Sequence, residues 1–163
     1  MVRSVLVASV LLLATLAPEA AAQAAEGAGT VSVTASIGGK VYQAAGAGSC
    51  KHEPQASIYG VPAALWMVEY PGVVEGKLKR ANLTLWRPKD GSAEQLSVAL
   101  GTGSSSHQIQ VGGRGEQVGS GKAWLLPNGL GGRFEIKGKD AEGTALEIVI
   151  KCATFAGIEA EGG

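Results

Sequence analysis

The sequence predicts an all-β chain, an antiparallel β-sandwich of roughly eight to ten short strands with one disulfide. Three observations favour this fold class. Short segments of alternating apolar and polar residues recur between Thr30 and Cys152, turn-forming Gly, Pro, Asp and Asn separate them, and no amphipathic helical pattern follows the first apolar run. Two packed antiparallel sheets would bury such strands, and a closed barrel is the alternative arrangement.

The first hairpin is predicted at the start of this region. Residues 30–37 alternate hydroxylic side chains with the apolar series Val31, Val33, Ala35 and Ile37. Gly38 and Gly39 can adopt the positive φ angles of a tight turn, after which the chain returns through residues 40–42. Shorter and less regular strand pieces are expected at 50–52 and 55–59.

The middle of the chain predicts three further strands. In residues 64–70 one face carries Trp66, Val68 and Tyr70, and Pro71-Gly72 ends the strand. Residues 81–87 place Leu83 and Leu85 inward and Trp86 outward, and residues 96–100 return after the turn at 88–91. These last two strands are predicted to form a hairpin.

The remaining strands are predicted around Ile109 and Val111, over 123–126, around Phe134 and Ile136, and over 146–152. The last of these places four residues on one face, namely Leu146, Ile148, Ile150 and Cys152. Alternation therefore directs Cys152 toward the core.

The chain has two cysteines, Cys50 and Cys152, and each lies within a strand pattern. A disulfide between them is the default assignment in a chain that enters an oxidising compartment. A metal site on both thiols would need further ligands at suitable spacing, and the sequence has no Cys-x-x-Cys pair or histidine-rich cluster.

The N-terminal segment is typical of a secretory signal peptide, because Arg3 precedes an apolar run over 5–17 and then small residues. That run is shorter than the roughly 20 residues of a membrane-spanning helix. We expect a signal peptide over 1–22, a spacer over 23–29, the sandwich domain over 30–155 and a tail over 156–163. The expected localisation is secreted or periplasmic, with no membrane span after cleavage.

The formal net charge is zero, since 14 basic residues balance 14 acidic ones. A neutral chain has no field that attracts nucleic acid or an anionic membrane surface. We therefore expect no nucleic-acid partner. No cofactor or resident metal is expected either, and an envelope glycan or protein remains as a candidate partner.

A family resemblance follows from several short motifs. Four short segments resemble motifs of the mycobacterial lipoprotein antigen family. They are Ile37-Gly38-Gly39-Lys40, Cys50, Phe134-Glu135-Ile136 and the terminal strand Leu146 to Cys152. The resemblance implies a small exported β-sandwich whose first and last core strands are joined by a disulfide, and a non-enzymatic envelope protein. Members carry a lipidated cysteine after the signal, whereas this chain has Ala22-Gln23, so lipid anchoring is not implied.

Candidate chemistry centres on the two histidines. His107 follows a run of serines, but a catalytic triad is assembled by the fold rather than by adjacency, and the sequence has no Gly-x-Ser-x-Gly elbow. His52 and Glu53 offer a nitrogen and a carboxylate, fewer ligands than most metal sites use. These three residues are a possible polar site, and a small secreted hydrolase or metal-binding protein using His52 or His107 is the alternative function.

The leading prediction is a non-catalytic binding or interaction module of the cell envelope. Basic residues surround the hairpin that carries Trp86 on its polar face, and the candidate binding surface comprises Trp86, Arg87, Lys79 and Lys89. Aromatic rings and cations together can bind a glycan or an anionic polymer. A solvated strand edge protected by lysines would show the same pattern.

Overall fold

The computed structural model describes residues 29–72, 77–103 and 105–158. Nine strands account for most of these residues: β1 (Gly29–Ile37), β2 (Lys40–Ile58), β3 (Val61–Tyr70), β4 (Leu78–Pro88), β5 (Gln95–Thr102), β6 (Ser105–Val111), β7 (Ser120–Asn128), β8 (Gly131–Lys139) and β9 (Ala145–Cys152). All neighbouring strands are antiparallel. The predicted all-β fold is confirmed.

The strands form one nearly closed sheet in the order β6-β5-β4-β3-β2-β1-β9-β8-β7. Its two halves share β2, which pairs with β1 through Gly48 and with β3 from Ser49 onward. The strand pieces predicted separately at 50–52 and 55–59 thus fall in one 19-residue strand that ends at Ile58, with Tyr59 just beyond it. A register shift between Glu53 and Ala56 interrupts its alternation, which explains the irregular sequence pattern.

The two edge strands, β6 and β7, approach each other at a seam. Gln110 and Val118 exchange two backbone hydrogen bonds of 2.8 Å just before β7 begins. Nearby, Ile109 of β6 lies over the glycines of β7 and β8, because Cβ atoms added at Gly121 or Gly138 would come within 3.3 Å of its side chain. These contacts bring the ends of the sheet together at one end of the seam.

The core is one hydrophobic cluster built from the inward faces of both halves. Tyr70, Phe134 and Ile150 are among its largest fully buried side chains. The predicted inward faces of 64–70 and 146–152 are both buried, as alternation requires.

A disulfide joins Cys50 in β2 to Cys152 in β9, with a Cα–Cα distance of 6.0 Å. The predicted pairing is confirmed, and each cysteine is only 5% exposed. Beyond β9 the chain continues in the same direction and forms a parallel bridge with β2, where the Ala156 backbone hydrogen-bonds to Cys50 and His52. Gly29 already belongs to β1, and Ala156 pairs with β2, so strand pairing includes the residue next to each predicted domain limit.

The predicted signal peptide over 1–22, most of the predicted spacer and residues 159–163 lie outside the described residues. In the part of the chain that is described, no helix is long and apolar enough to cross a membrane.

Candidate functional site

Trp86 lies on the outer face of β4, since its neighbour Leu85 is fully buried in the core. The register places Gln95 of β5 directly opposite Trp86. Two residue pairs further along, on the same face, Thr84, Ser97 and Gln110 form a row across β4, β5 and β6. The sheet therefore presents an aromatic ring beside neutral hydrogen-bonding side chains.

Tyr59 approaches the same face from the turn between β2 and β3. Its φ is 52° and that of Gly60 is 81°, so both central residues have positive φ, as in a type I′ turn. Among the described non-glycine residues, Tyr59 alone adopts positive φ. A bulky side chain in this backbone region costs of order 1–3 kcal/mol, and such strain is concentrated at functional sites.

Arg114, from the connection between β6 and β7, completes the site. Its guanidinium lies 4.5 Å from the centre of the Tyr59 ring, a cation–π distance. Tyr59, Trp86 and Arg114 line one cleft of about 300 Å³ together with the polar side chains of the sheet. We call this the Trp86 cleft, lined by Tyr59, Thr84, Trp86, Gln95, Ser97, Gln110 and Arg114.

The chemistry of the Trp86 cleft favours a polar ligand with apolar faces. Two aromatic rings offer surfaces for stacking, and amides and hydroxyls can both donate and accept hydrogen bonds. The guanidinium of Arg114 makes no ion pair with any described residue, so it can meet an anionic group. A volume of about 300 Å³ is at the small end of ligand sites.

The other residues of the predicted binding surface are placed apart from Trp86. Arg87 points to the opposite side of β4, where its guanidinium lies 5.4 Å from the Trp66 ring and pairs with Glu94. Lys89 follows the end of β4 and hydrogen-bonds Gln55, whereas Lys79 lies at the other end of the strand. The structure thus does not gather Trp86, Arg87, Lys79 and Lys89 into one surface.

His52 belongs to an aromatic cluster at the end of the core. Its ring stacks on Trp66 at 4.6 Å with an interplanar angle of 5°, and Phe155 contacts it edge-on at 6.1 Å. Burial lowers the pKa of His52, and the nearby Glu53 carboxylate opposes this only in part. The Glu53 carboxylate accepts a hydrogen bond from the backbone N–H of Gln55.

His107 is bound to a carboxylate in a different place. Its Nδ1 lies 2.8 Å from Oδ2 of Asp140, a side chain that is 1% exposed in the turn between β8 and β9. The backbone amides of Glu142 and Thr144 donate to the other oxygen of Asp140. This pair ties β6 to the far half of the sheet.

The predicted polar site of His52, Glu53 and His107 is therefore divided, because the two histidines have separate partners. Over the described ranges, no group of three or more His, Cys, Asp or Glu residues is arranged to hold a metal ion.

Sequence reasoning found Trp86 but missed Tyr59 and Arg114. Residues 55–59 were predicted as a strand piece, whereas the hairpin turn falls on Tyr59-Gly60. The signal that was present is Gly60 between two apolar segments, since glycine favours the positive φ of such a turn. Nothing in the spacing of Arg114 indicates that its loop folds back over Tyr59.

Searches against protein-family models, curated proteins and solved structures find no match to this chain.

Proposed function

We propose that the protein is an exported, non-catalytic binding module of the cell envelope that recognises a glycan in the Trp86 cleft. The proposal rests on Tyr59. Its backbone has positive φ, and its ring lines the same cleft as Trp86 and contacts the Arg114 guanidinium. Asparagine or glycine would suit that turn better, so a tyrosine there is explained by what its ring contacts.

Each group in the cleft matches one feature of a sugar. The rings of Trp86 and Tyr59 can stack on the C–H face, and the side chains of Gln95, Ser97 and Gln110 can pair with hydroxyl groups. Arg114 favours a glycan that carries a carboxylate or phosphate. Extracytoplasmic maturation, secreted or periplasmic, is supported by the buried disulfide.

The test is binding to a panel of neutral and acidic glycans and purified envelope polymers, measured by calorimetry. For the best ligand, we expect Trp86→Ala and Tyr59→Ala each to weaken binding by about tenfold or more, equivalent to about 1.4 kcal/mol. Tyr59→Phe should retain most of the affinity, because the ring remains.

Two matched variants test whether the effect is local. Trp124→Ala removes another half-exposed tryptophan, on β7, and Arg87→Ala removes the neighbouring cation on the other side of β4. Both should bind as the unmodified protein does. The proposal is wrong if no polymer binds, or if the Trp86 and Tyr59 variants bind every ligand unchanged.

Hydrolysis is the second candidate function, because a carboxylate oriented on a histidine is two thirds of a nucleophilic triad. Within the described residues, however, no hydroxyl or thiol is hydrogen-bonded to His107. If the protein is a hydrolase of this kind, a fluorophosphonate probe should label it covalently, and His107→Gln should abolish the labelling. Absence of labelling in the unmodified protein would exclude a serine hydrolase of this kind.

A further inference from the structure

β7 is an edge strand beside the open part of the seam. Among the described residues, β8 is its only sheet neighbour, and the backbone hydrogen bonds that cross to β6 end at Val118. Pro127 removes an N–H group near the end of the strand. Residues 121–126 therefore offer about six residues, or about 20 Å, of backbone edge.

A cleft of about 650 Å³ lies along this edge, and we call it the seam cleft. It separates β7 from the ends of β4, β5 and β6, and Leu96, Val111 and Ala123 form its apolar wall. Trp124 stands at its margin and is 48% exposed. The exposed backbone edge and the apolar cleft are thus two independent features at one place.

Among the residues that the structure describes, the charges of the seam cleft leave one cation without a counterion. Arg87 and Glu94 form an ion pair there. Lys122, on the same face of β7 as Trp124, makes no ion pair within the described ranges. An acidic group on a bound molecule would complement it.

We infer that the edge of β7 binds an extended peptide segment of a partner protein as an added antiparallel strand. The alternation of a strand places every second side chain on one side. An apolar side chain of the peptide would then enter the seam cleft, and the next, acidic side chain would lie beside Lys122 and Trp124.

The backbone edge favours a peptide over other occupants. Main-chain hydrogen bonds supply affinity in strand addition, and pockets for alternate side chains supply specificity. A small amphiphile would fill the apolar cleft without using the N–H and C=O groups of β7. Natural proteins protect such edges from random pairing with residues such as lysine and proline. β7 carries Lys122 and Pro127, but it also carries the exposed apolar side chains Trp124 and Leu126.

The experiment is selection of a randomised peptide library, about nine residues long and displayed on phage, against the full chain. We expect enriched peptides with apolar residues at alternate positions and Asp or Glu between them. N-methylation of the backbone at alternate positions of a selected peptide should weaken its binding by about tenfold or more in one register and little in the other, because only one set of N–H groups faces β7.

Variants assign the site. Lys122→Glu should weaken binding of the selected acidic peptide by about tenfold or more, and replacing the acidic residues of the peptide by lysine should restore it. Trp124→Ala should also weaken peptide binding. Trp86→Ala should leave it unchanged, so failure of this inference is distinguishable from failure of the proposed glycan site.

Three outcomes would overturn the inference. One is that no peptide is enriched over a control surface. Another is that selected peptides keep their affinity after N-methylation in both registers, which would indicate side-chain binding alone. The third is self-association of the chain, measured by ultracentrifugation, that Lys122→Glu abolishes and that added peptide does not reduce. This result would assign the β7 edge to a second copy of the chain.

Discussion

Tyr59 is the residue at which stability and function are expected to oppose each other. Because its φ is 52°, replacement by asparagine should relieve backbone strain and raise the free energy of unfolding by about 1 kcal/mol. The same change should remove the Tyr59 ring, one of the two stacking surfaces in the Trp86 cleft. Urea denaturation and glycan binding, measured on the same preparation, check both effects.

The matched control is Tyr42→Asn. Tyr42 is in β2, at negative φ, and packs against the core. That substitution should lower the free energy of unfolding, the opposite sign. A destabilised Tyr59→Asn protein would contradict the assignment of strain.

Asp140 is the residue that should govern stability in acid. Burial alone would raise the pKa of Asp140, but hydrogen bonds from His107 and from the Thr144 backbone outweigh it and leave the pKa below its ordinary 3.8. The stability contributed by the carboxylate is therefore fully present above about pH 4 and is lost as the pH falls through the folded-state pKa.

Asp140→Asn should lower the free energy of unfolding by about 2 kcal/mol at neutral pH, because charge-assisted hydrogen bonds of a buried group are lost. The difference from the unmodified protein should shrink in acid. Urea denaturation between about pH 3 and pH 7 measures it. Glu147→Gln, at an exposed ion pair with Lys137, should leave the pH profile unchanged, and a constant difference for Asp140→Asn would contradict the assignment.

At the scale of elements, the close packing of β6, β7 and β8 depends on the absence of a side chain at Gly138. A Cβ atom there would lie 2.1 Å from the Ser120 carbonyl oxygen and 2.8 Å from Ile109 Cδ1. We expect Gly138→Ala to lower the free energy of unfolding by about 2 kcal/mol or more, since backbone must move. Thermal and urea denaturation measure the change.

Gly46→Ala is the matched variant in β2, where the nearest atom to a new Cβ is Tyr70 Cε2 at an ordinary 3.6 Å. It should change the free energy of unfolding by less than about 1 kcal/mol. Equal effects of the two substitutions would show that the seam does not require a glycine.

The strands were predictable where one face is buried and the other solvated. Residues 146–152 alternate cleanly because β9 is paired along both edges, with β1 and β8, and turns one face to the core. In β2 the local pattern failed, because the strand passes from one half of the sheet to the other and changes register between Glu53 and Ala56. Periodicity within a short window cannot report such a long-range change of partner.

At the scale of the whole molecule, the disulfide closes a segment with a sequence separation of 102 residues. In the chain-entropy model such a link stabilises by roughly 4.7 kcal/mol, because it restricts the unfolded chain. We expect Cys50→Ser/Cys152→Ser, and full reduction of the native protein, to lower the free energy of unfolding by about this amount. Urea denaturation with and without reductant is the measurement.

Serine at both positions also places two hydroxyl groups in a buried site, so the double alanine variant should be compared. Agreement between reduced and substituted proteins would attribute the loss to the covalent link. A loss below about 1 kcal/mol in both would contradict the entropic account.

The candidate site was only partly predictable, because it is assembled from segments distant in sequence. Trp86 could be placed outward from the alternation of Leu83 and Leu85 alone. The same alternation places Arg87 on the opposite face of β4 from Trp86. The two residues were nevertheless predicted to share one surface, because they are adjacent in sequence. Arg114 reaches Tyr59 through a loop whose path no local pattern encodes.

The pairing of β1 with β9 sets an order of events during biosynthesis. A ribosome or translocation channel delivers the chain from its N terminus, so β1 can form its hairpin with β2 early, while its other edge waits for the last strand to emerge. Cys50 likewise cannot form its disulfide until Cys152 has emerged from the ribosome or channel. Products cut short before β9 lack both the strand partner of β1 and the thiol partner of Cys50, so the intramolecular disulfide forms only in chains that include Cys152.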